Sequence, residues 1–293
     1  MDNSVEILKK YKIEYICSYT AIVLLILGIA ISMILIKIEI YPQSSALFLI
    51  IGIPLLVCVN IYLNIIAKKI KLYYKHIFVQ EPLIKNFDDV VYIWKSGFKE
   101  FEVSCFDICA MGDNFSSEDY IKASYHGIPF EMAEVKVVET HNGNHSSIHF
   151  HGRMVVFELP NEIVKSVRIY SNNFKHRYDG ISLNQNNKID MEKTSFNTKF
   201  DVYSNDMHDA FYLLTPHFME KIENLYPKYD SIAIHAKGKK IIVAFNDPNN
   251  DAFDFKIWKM DTSYYDEIAK IQREINDIKG IVKTLENFIL LKK

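Results

Sequence analysis

No Walker phosphate loop, GxGxxG turn, HExxH pair, GxSxG elbow or kinase signature occurs in these 293 residues, so the common nucleotide, zinc-protease, serine-hydrolase and kinase chemistries have no foothold. Cysteine is scarce, at 4 residues. Cys17 and Cys58 fall in apolar runs, and a disulfide-stapled domain is excluded. Cys105 and Cys109 stand four apart with no second pair to complete a zinc site, and read as small buried hydrophobes. A basic excess is also lacking. The net charge is −2, and residues 68–293 carry 30 basic against 32 acidic side chains. A nucleic-acid partner, which would need a basic face, is not expected. Acidic pairs such as Glu118-Asp119 and Asp88-Asp89 are ordinary on surfaces. Nothing points to a catalytic residue or a cofactor.

Charge is missing altogether from two long stretches: 22 residues between Glu14 and Lys37, and 28 between Glu39 and Lys68. About 20 helical residues cross a hydrocarbon core of roughly 30 Å. The expectation is a two-helix transmembrane anchor over residues 1–67, with helices over about 15–36 and 45–66. A cleaved signal peptide fits poorly, because Lys37-Ile38-Glu39-Ile40-Tyr41-Pro42 follows the first run where small residues should stand. The short connection forces a hairpin. Lys9, Lys10 and Lys12 precede it and Lys68, Lys69, Lys71 and Lys75 follow it, against Lys37 alone in the loop. The positive-inside rule puts both termini in the cytoplasm. Pro54 should kink the second helix. Asn60 and Asn64, one turn apart, suggest a helix–helix hydrogen bond or headgroup exposure, or a polar path.

The rest reads as α+β. Residues 68–118 form a membrane-proximal helical segment, and 119–293 a cytoplasmic domain. From Asp119 the apolar period is two, giving strands near 119–125, 128–139, 148–159 and 164–170. Asn142-Gly143 lies in a hairpin between the second and third, and the four form an antiparallel meander. Residues 171–199 are Asn-rich and read as a long loop. A strand follows at 200–203, then helices near 206–214 and 215–226. Asp206 and Asp209 are spaced like an N-cap and its partner, and Thr215-Pro216 like a cap with proline at N1. Another hairpin flanks Gly238. A final helix spans about 262–291. Its Ile268, Ile271, Ile275, Ile278, Val282, Leu285 and Ile289 follow spacings of three and four. Such a stripe covers the helix's own sheet, or forms an assembly seam for a homo-oligomer or a protein partner.

His141, His145, His149 and His151 crowd one hairpin. Dense imidazoles are the one metal-binding signal. They give the alternative of a membrane-tethered metal-binding protein or metalloenzyme, with His149 and His151 on one strand face and Arg153 next in line. A solvated hairpin tip and polar sheet face is the plainer reading.

Several spaced motifs carry a family resemblance. They are Glu118-Asp119-Tyr120-Ile121, Phe130-Glu131, Glu134-Val135, Phe150 with Gly152, and Val202-Tyr203-Ser204 followed by Leu213-Leu214-Thr215-Pro216. Together with the apolar hairpin, the sequence resembles the bacterial membrane proteins catalogued as domain of unknown function three-one-three-seven. Ala123 stands where that family tends to have glycine. The resemblance implies a bacterial cytoplasmic-membrane location and no particular activity. Glu118, Asp119, Phe130, Glu131 and Glu134 cluster around one hairpin and are the candidate interaction face. The expected function is a membrane-anchored binding or scaffold domain.

Overall fold

A computed structural model describes residues 2–38, 42–141, 145–158, 162, 164–174, 187–229, 231–247, 253, 257 and 264–290. The chain divides into two compact units: Met1–Pro82 with Asp254–Ala269, and Leu83–Phe253 with Lys270–Lys293.

The first unit is built on two antiparallel helices, α1 (Asp2–Lys37) and α2 (Pro42–Tyr74). Both are long and apolar enough to cross a membrane. Leu24 is 69% and Ile50 70% exposed. Helix α2 runs unbroken through Pro54. Where the two helices pack, Gly28 makes room for a ring: a Cβ there would come within 2.8 Å of Phe48. Both helices exceed the expected 15–36 and 45–66. The apolar runs mark only their uncharged portions. Beyond them α1 and α2 stay paired, with Tyr11 5.7 Å from Tyr73 and Leu8, Ile66 and Ile70 buried. The Tyr74 hydroxyl donates to Glu267 at 2.6 Å. Among the described residues, Asn60 and Asn64 bond to each other rather than across helices. The Asn64 amide donates to the Asn60 carbonyl at 3.0 Å and to its side-chain oxygen at 3.1 Å, within α2 itself.

A π-helical turn (Lys75–Gln80) and α3 (Glu81–Asn86) continue the chain. The second unit then opens with a strand where helix was expected, β1 (Asp88–Ile93), followed by α4 (Glu100–Phe106). Strand β2 (Asn114–Tyr125) starts before Asp119, and β3 (Ile128–His141) and β4 (His145–Glu158) follow. His126 and Gly127, with φ of 52° and 76°, make the two-residue turn that a β2–β3 hairpin requires. The expected Asn142-Gly143 turn lies outside the described residues. Next come β5 (Val164–Ser171), β6 (Lys188–Ile189), α5 (Thr194–Asn197) and β7 (Phe200–Ser204). Part of the expected 171–199 loop is therefore ordered as β6 and α5. Then follow α6 (Met207–Leu213), α7 (Pro216–Leu225), β8 (Ser231–Gly238), β9 (Lys240–Asn246) and α8 (Tyr264–Leu290).

The described strands form one antiparallel sheet in the order β1-β2-β3-β4-β9-β8-β5-β7-β6. The meander is thus three hairpin-linked strands plus β1, and β5 is not its continuation. Strand β9 takes the free edge of β4, with Val155 opposite Val243. Strand β5 pairs instead with β8 and β7. Alternation shows that a segment is a strand, but not which neighbour it finds.

Both helix caps form, with one change. Asp206 accepts from the His208 amide at 2.9 Å, and Thr215 accepts from the Phe218 amide at 3.3 Å. Asp209 does not close a capping box; its carboxylate takes the Lys165 amide at 2.8 Å, tying α6 to β5. The two sheet faces have separate covers. One carries Arg153, which forms a buried ion pair with Glu274 of α8. Ile271, Ile275, Ile278 and Val282 are buried on that helix. The other holds Val135, Val137, Phe150 and Met154 against Val103, Phe106 and Ile108 from α4 and the segment after it.

Gly152 sits where β4 and β9 come too close for a side chain. A Cβ would lie 1.9 Å from the Phe245 carbonyl oxygen. Gly280, in α8, has nothing within 4 Å of its Cβ position. Gly152→Ala should destabilise the domain by about 1–3 kcal/mol through forced backbone movement. Gly280→Ala should stabilise it by roughly 0.5–1 kcal/mol. Denaturation midpoints of the two full-length variants, expected to move in opposite directions, check both.

Candidate functional site

The expected acidic face does not assemble. A β-bulge between Glu118 and Ile121 sets Asp119 and Tyr120 against a single residue of β3. Asp119 takes φ of 56°, is buried, and accepts from the Tyr92 hydroxyl at 2.5 Å. Phe130 and Glu134 point to the Arg153 face, opposite Phe157 and Arg153 in register. Glu131 points to the α4 face and pairs with Lys122 at 2.9 Å. Glu118 lies opposite Glu134. The five side chains are split between core, bulge and both faces.

The histidines part in the same way. His141 and His145 face each other at the exposed end of the hairpin, where His141 contacts the Ser147 hydroxyl at 2.9 Å. A register shift makes His149 an extra residue in β4 and interrupts the alternation expected between it and His151. His149 is buried between the Ala110 carbonyl at 3.2 Å and Glu139 at 3.1 Å. His151 lies 3.6 Å from Glu134. Among the described residues, no three His, Cys, Asp or Glu side chains gather as metal ligands. The seam of α8 is occupied within the single chain. Ile271, Ile275, Ile278 and Val282 are buried and Ile268 is half-buried. The side chains of Leu285 and Ile289 lie outside the described residues.

What the structure does assemble is a cleft of about 280 Å³ beside α4. Its apolar wall is Phe98, Phe101, Phe106, Val156 and Ile242. Its polar rim is Glu102, Cys105, Glu131, His235, Lys237 and Lys240. Four segments contribute: α4 with the residue before its cap, β3, β4 and the β8–β9 hairpin. Helix α4 starts where Glu102 turns back to accept the Lys99 amide at 2.7 Å. It ends at Asp107, whose left-handed backbone (φ 54°) stops the helix and presents its carboxylate to Arg168. Phe101, on the outer side of this helix, is 76% exposed. Cys105, one turn on, is exposed too, so of the two expected buried thiols only Cys109 is buried. Burial pushes the Cys109 thiol up to about 12.

His235 fixes α4 to the sheet. It is fully buried, with Nδ1 2.7 Å from the Phe106 carbonyl and Nε2 3.1 Å from the Ser166 hydroxyl. A carbonyl only accepts, so Nδ1 carries the proton and Nε2 accepts from Ser166. Burial lowers its pKa to about 4, while the Phe106 carbonyl works against the shift. Sequence reasoning missed this cleft. Its only local trace was the Lys237-Gly238-Lys239-Lys240 turn.

The sheet and its two helical covers, with the cleft beside α4, define an α+β domain in a chain that also carries two apolar helices. Residues 148–287 match the family described as "Protein of unknown function (DUF3137)". The match takes in Phe150, Gly152 and the motifs from Val202 to Pro216, and lies beyond Glu118–Val135. No curated protein matches. Among solved structures, the crystal structure of the mycobacterial trehalose monomycolate transport factor A, TtfA, is similar at 10% identity. The alignment covers 72% of this chain and 93% of that one, with a TM-score of 0.37.

The His235 contacts make stability pH-dependent. Unfolded, the imidazole takes a proton near its ordinary 6.5; folded, it resists until about 4. Its contribution is complete above pH 6.5 and is lost as pH falls toward 4, by roughly 3 kcal/mol in all. His235→Asn keeps a donor near Nδ1 and removes the titration. The expected result is a shallower stability loss between pH 6.5 and 4 than in the parent protein, read from denaturant midpoints. Identical slopes would show that another group carries it.

Proposed function

We propose that the protein is a membrane-anchored binding or scaffold protein, with its sheet domain on the cytoplasmic side of a bacterial membrane and the α4 cleft as its working surface. The observation that carries this is the cleft itself: an apolar wall, a charged rim and the exposed ring of Phe101. A large aromatic left in water at the mouth of a concave site is a contact awaiting a ligand or partner. The anchor rests on α1 and α2. Their apolar side chains face outward, as a bilayer requires and a soluble core does not. The orientation rests on seven lysines at the paired ends: Lys9, Lys10 and Lys12 beside Lys68, Lys69, Lys71 and Lys75.

Cys105 reports the orientation. Cys109 is buried, and Cys17 and Cys58 lie in the apolar runs. A membrane-impermeant maleimide should label inverted vesicles and spare intact spheroplasts, with Cys105→Ser abolishing the signal. Labelling of intact spheroplasts would place the domain outside.

The working surface has its own test. A benzophenone amino acid at position 101 should capture an occupant in cells, read as a mass or band shift. The same group at Phe211, exposed on α6, should not. Equal adducts at both positions, or none at 101, would remove the cleft from consideration.

A further inference from the structure

We infer that the cleft takes an anionic amphiphile, a single acyl or aryl tail ending in a carboxylate or phosphate. This rests on the binding reading above and names its ligand class. The charges at the rim decide the sign. Lys237 and Lys240 face each other directly across the β8–β9 hairpin. Its turn is set by Gly238 at φ 60°. Like charges in that position repel. Neither lysine is ion-paired with a described residue; Glu158, opposite Lys240 in register on β4, makes no such pair with it.

Each carboxylate of the cleft already has a bond, and only that of Glu131 is to a cation. Glu131 holds Lys122 at 2.9 Å, and Glu102 holds the Lys99 amide. His235 is neutral near pH 7 and has both ring nitrogens bonded. The rim therefore sets two lysines opposite each other with no ion pair to a described residue, a repulsion that an anion would relieve. Below them Phe106, Val156 and Ile242 form an apolar wall, and Phe101 stands ready to cover a tail. A bare phosphate would leave the Phe101 ring in water, and a neutral tail would leave the lysines opposed. A volume of about 280 Å³ is at the lower end of small-molecule sites, roughly 300–1,000 Å³. That size suits one tail rather than two.

Cys105 lines the cleft and supplies the readout. Full-length protein in phosphatidylcholine nanodiscs is labelled with a polar maleimide while decanoate is titrated. Decanoate should slow Cys105 labelling several-fold in a saturable way. Inorganic phosphate and decanol should not. Lys237→Gln with Lys240→Gln should weaken protection roughly tenfold. Both side chains are exposed, and an unchanged melting temperature confirms the fold. Nanodiscs doped with phosphatidylglycerol form a second arm. Protection there without decanoate supports the ligand class and assigns its source to the bilayer.

Failure of both decanoate and phosphatidylglycerol to protect would overturn the inference. So would equal protection by decanol, or undiminished protection in the double variant. A protein adduct at position 101 in cells combined with no protection here would leave the binding reading standing and refute the ligand class alone.

Discussion

The arrangement of the second unit depends on one buried ion pair. Arg153 on β4 and Glu274 on α8 meet where both side chains are almost wholly removed from water. Desolvating two charges is costly, and the pair persists only because its geometry is enforced from both sides. Gly152 lets β9 close against β4 beside it. The Tyr229 ring lies 5.9 Å from the guanidinium. Removing either partner would strand a buried charge, so α8 can seat itself in one register. That register puts Ile271, Ile275 and Ile278 on the sheet. It brings Asp277 to Lys228 at 2.5 Å, and Lys279 over Phe87 and Tyr125. Apolar stripes slide; a charge that must find its counterpart does not.

The opposite face uses the same device on a smaller scale. Helix α4 is only 7 residues long and too short to hold itself by packing. It is pinned by the Phe106 carbonyl on His235 and by Asp107 on Arg168. Each cover of the sheet thus combines an apolar stripe with a buried polar tie, and the tie sets the position that the stripe leaves loose.

The parts of this fold that were legible in the sequence are those determined by near neighbours in the chain. The uncharged runs marked two apolar helices. Alternation marked β2 to β5. Asp206 and Thr215 marked caps, and the three-four spacing marked α8. What escaped depends on residues far apart. Strand β5 reads like the next strand of a meander, yet the edge of β4 is filled by β9, about 90 residues later. Bulges defeated the face assignments. Asp119 adopts a left-handed backbone held by burial, by its amide on the Trp94 carbonyl and by the Tyr92 hydroxyl. One extra residue at His149 separates two histidines that strict alternation would align. The acidic face dissolved for a different reason: Glu131 and Glu134 are an odd number of residues apart on one strand and so point to opposite faces. The cleft was invisible because each of its residues has an ordinary local role. Phe101, Glu131 and Lys240 become a site only when four segments converge.

The cleft also follows from a mismatch of lengths. Helix α8 has 27 residues and runs about 40 Å, long enough to cross one face of a sheet whose longest strands have 14 residues. Helix α4 spans about 10 Å on the other face, where Val156 and Ile242 are buried in its core and line the cleft beside it. A sheet covered equally on both sides would have no concavity and no reason to leave Phe101 in water. Ile271, Ile275, Ile278 and Val282 of the α8 seam are taken up in building the domain. Beside the short, pinned helix a cleft remains, with Phe101 exposed and two lysines that pair with no described residue at its rim. The proposed binding surface thus lies on the face whose helical cover is the shorter.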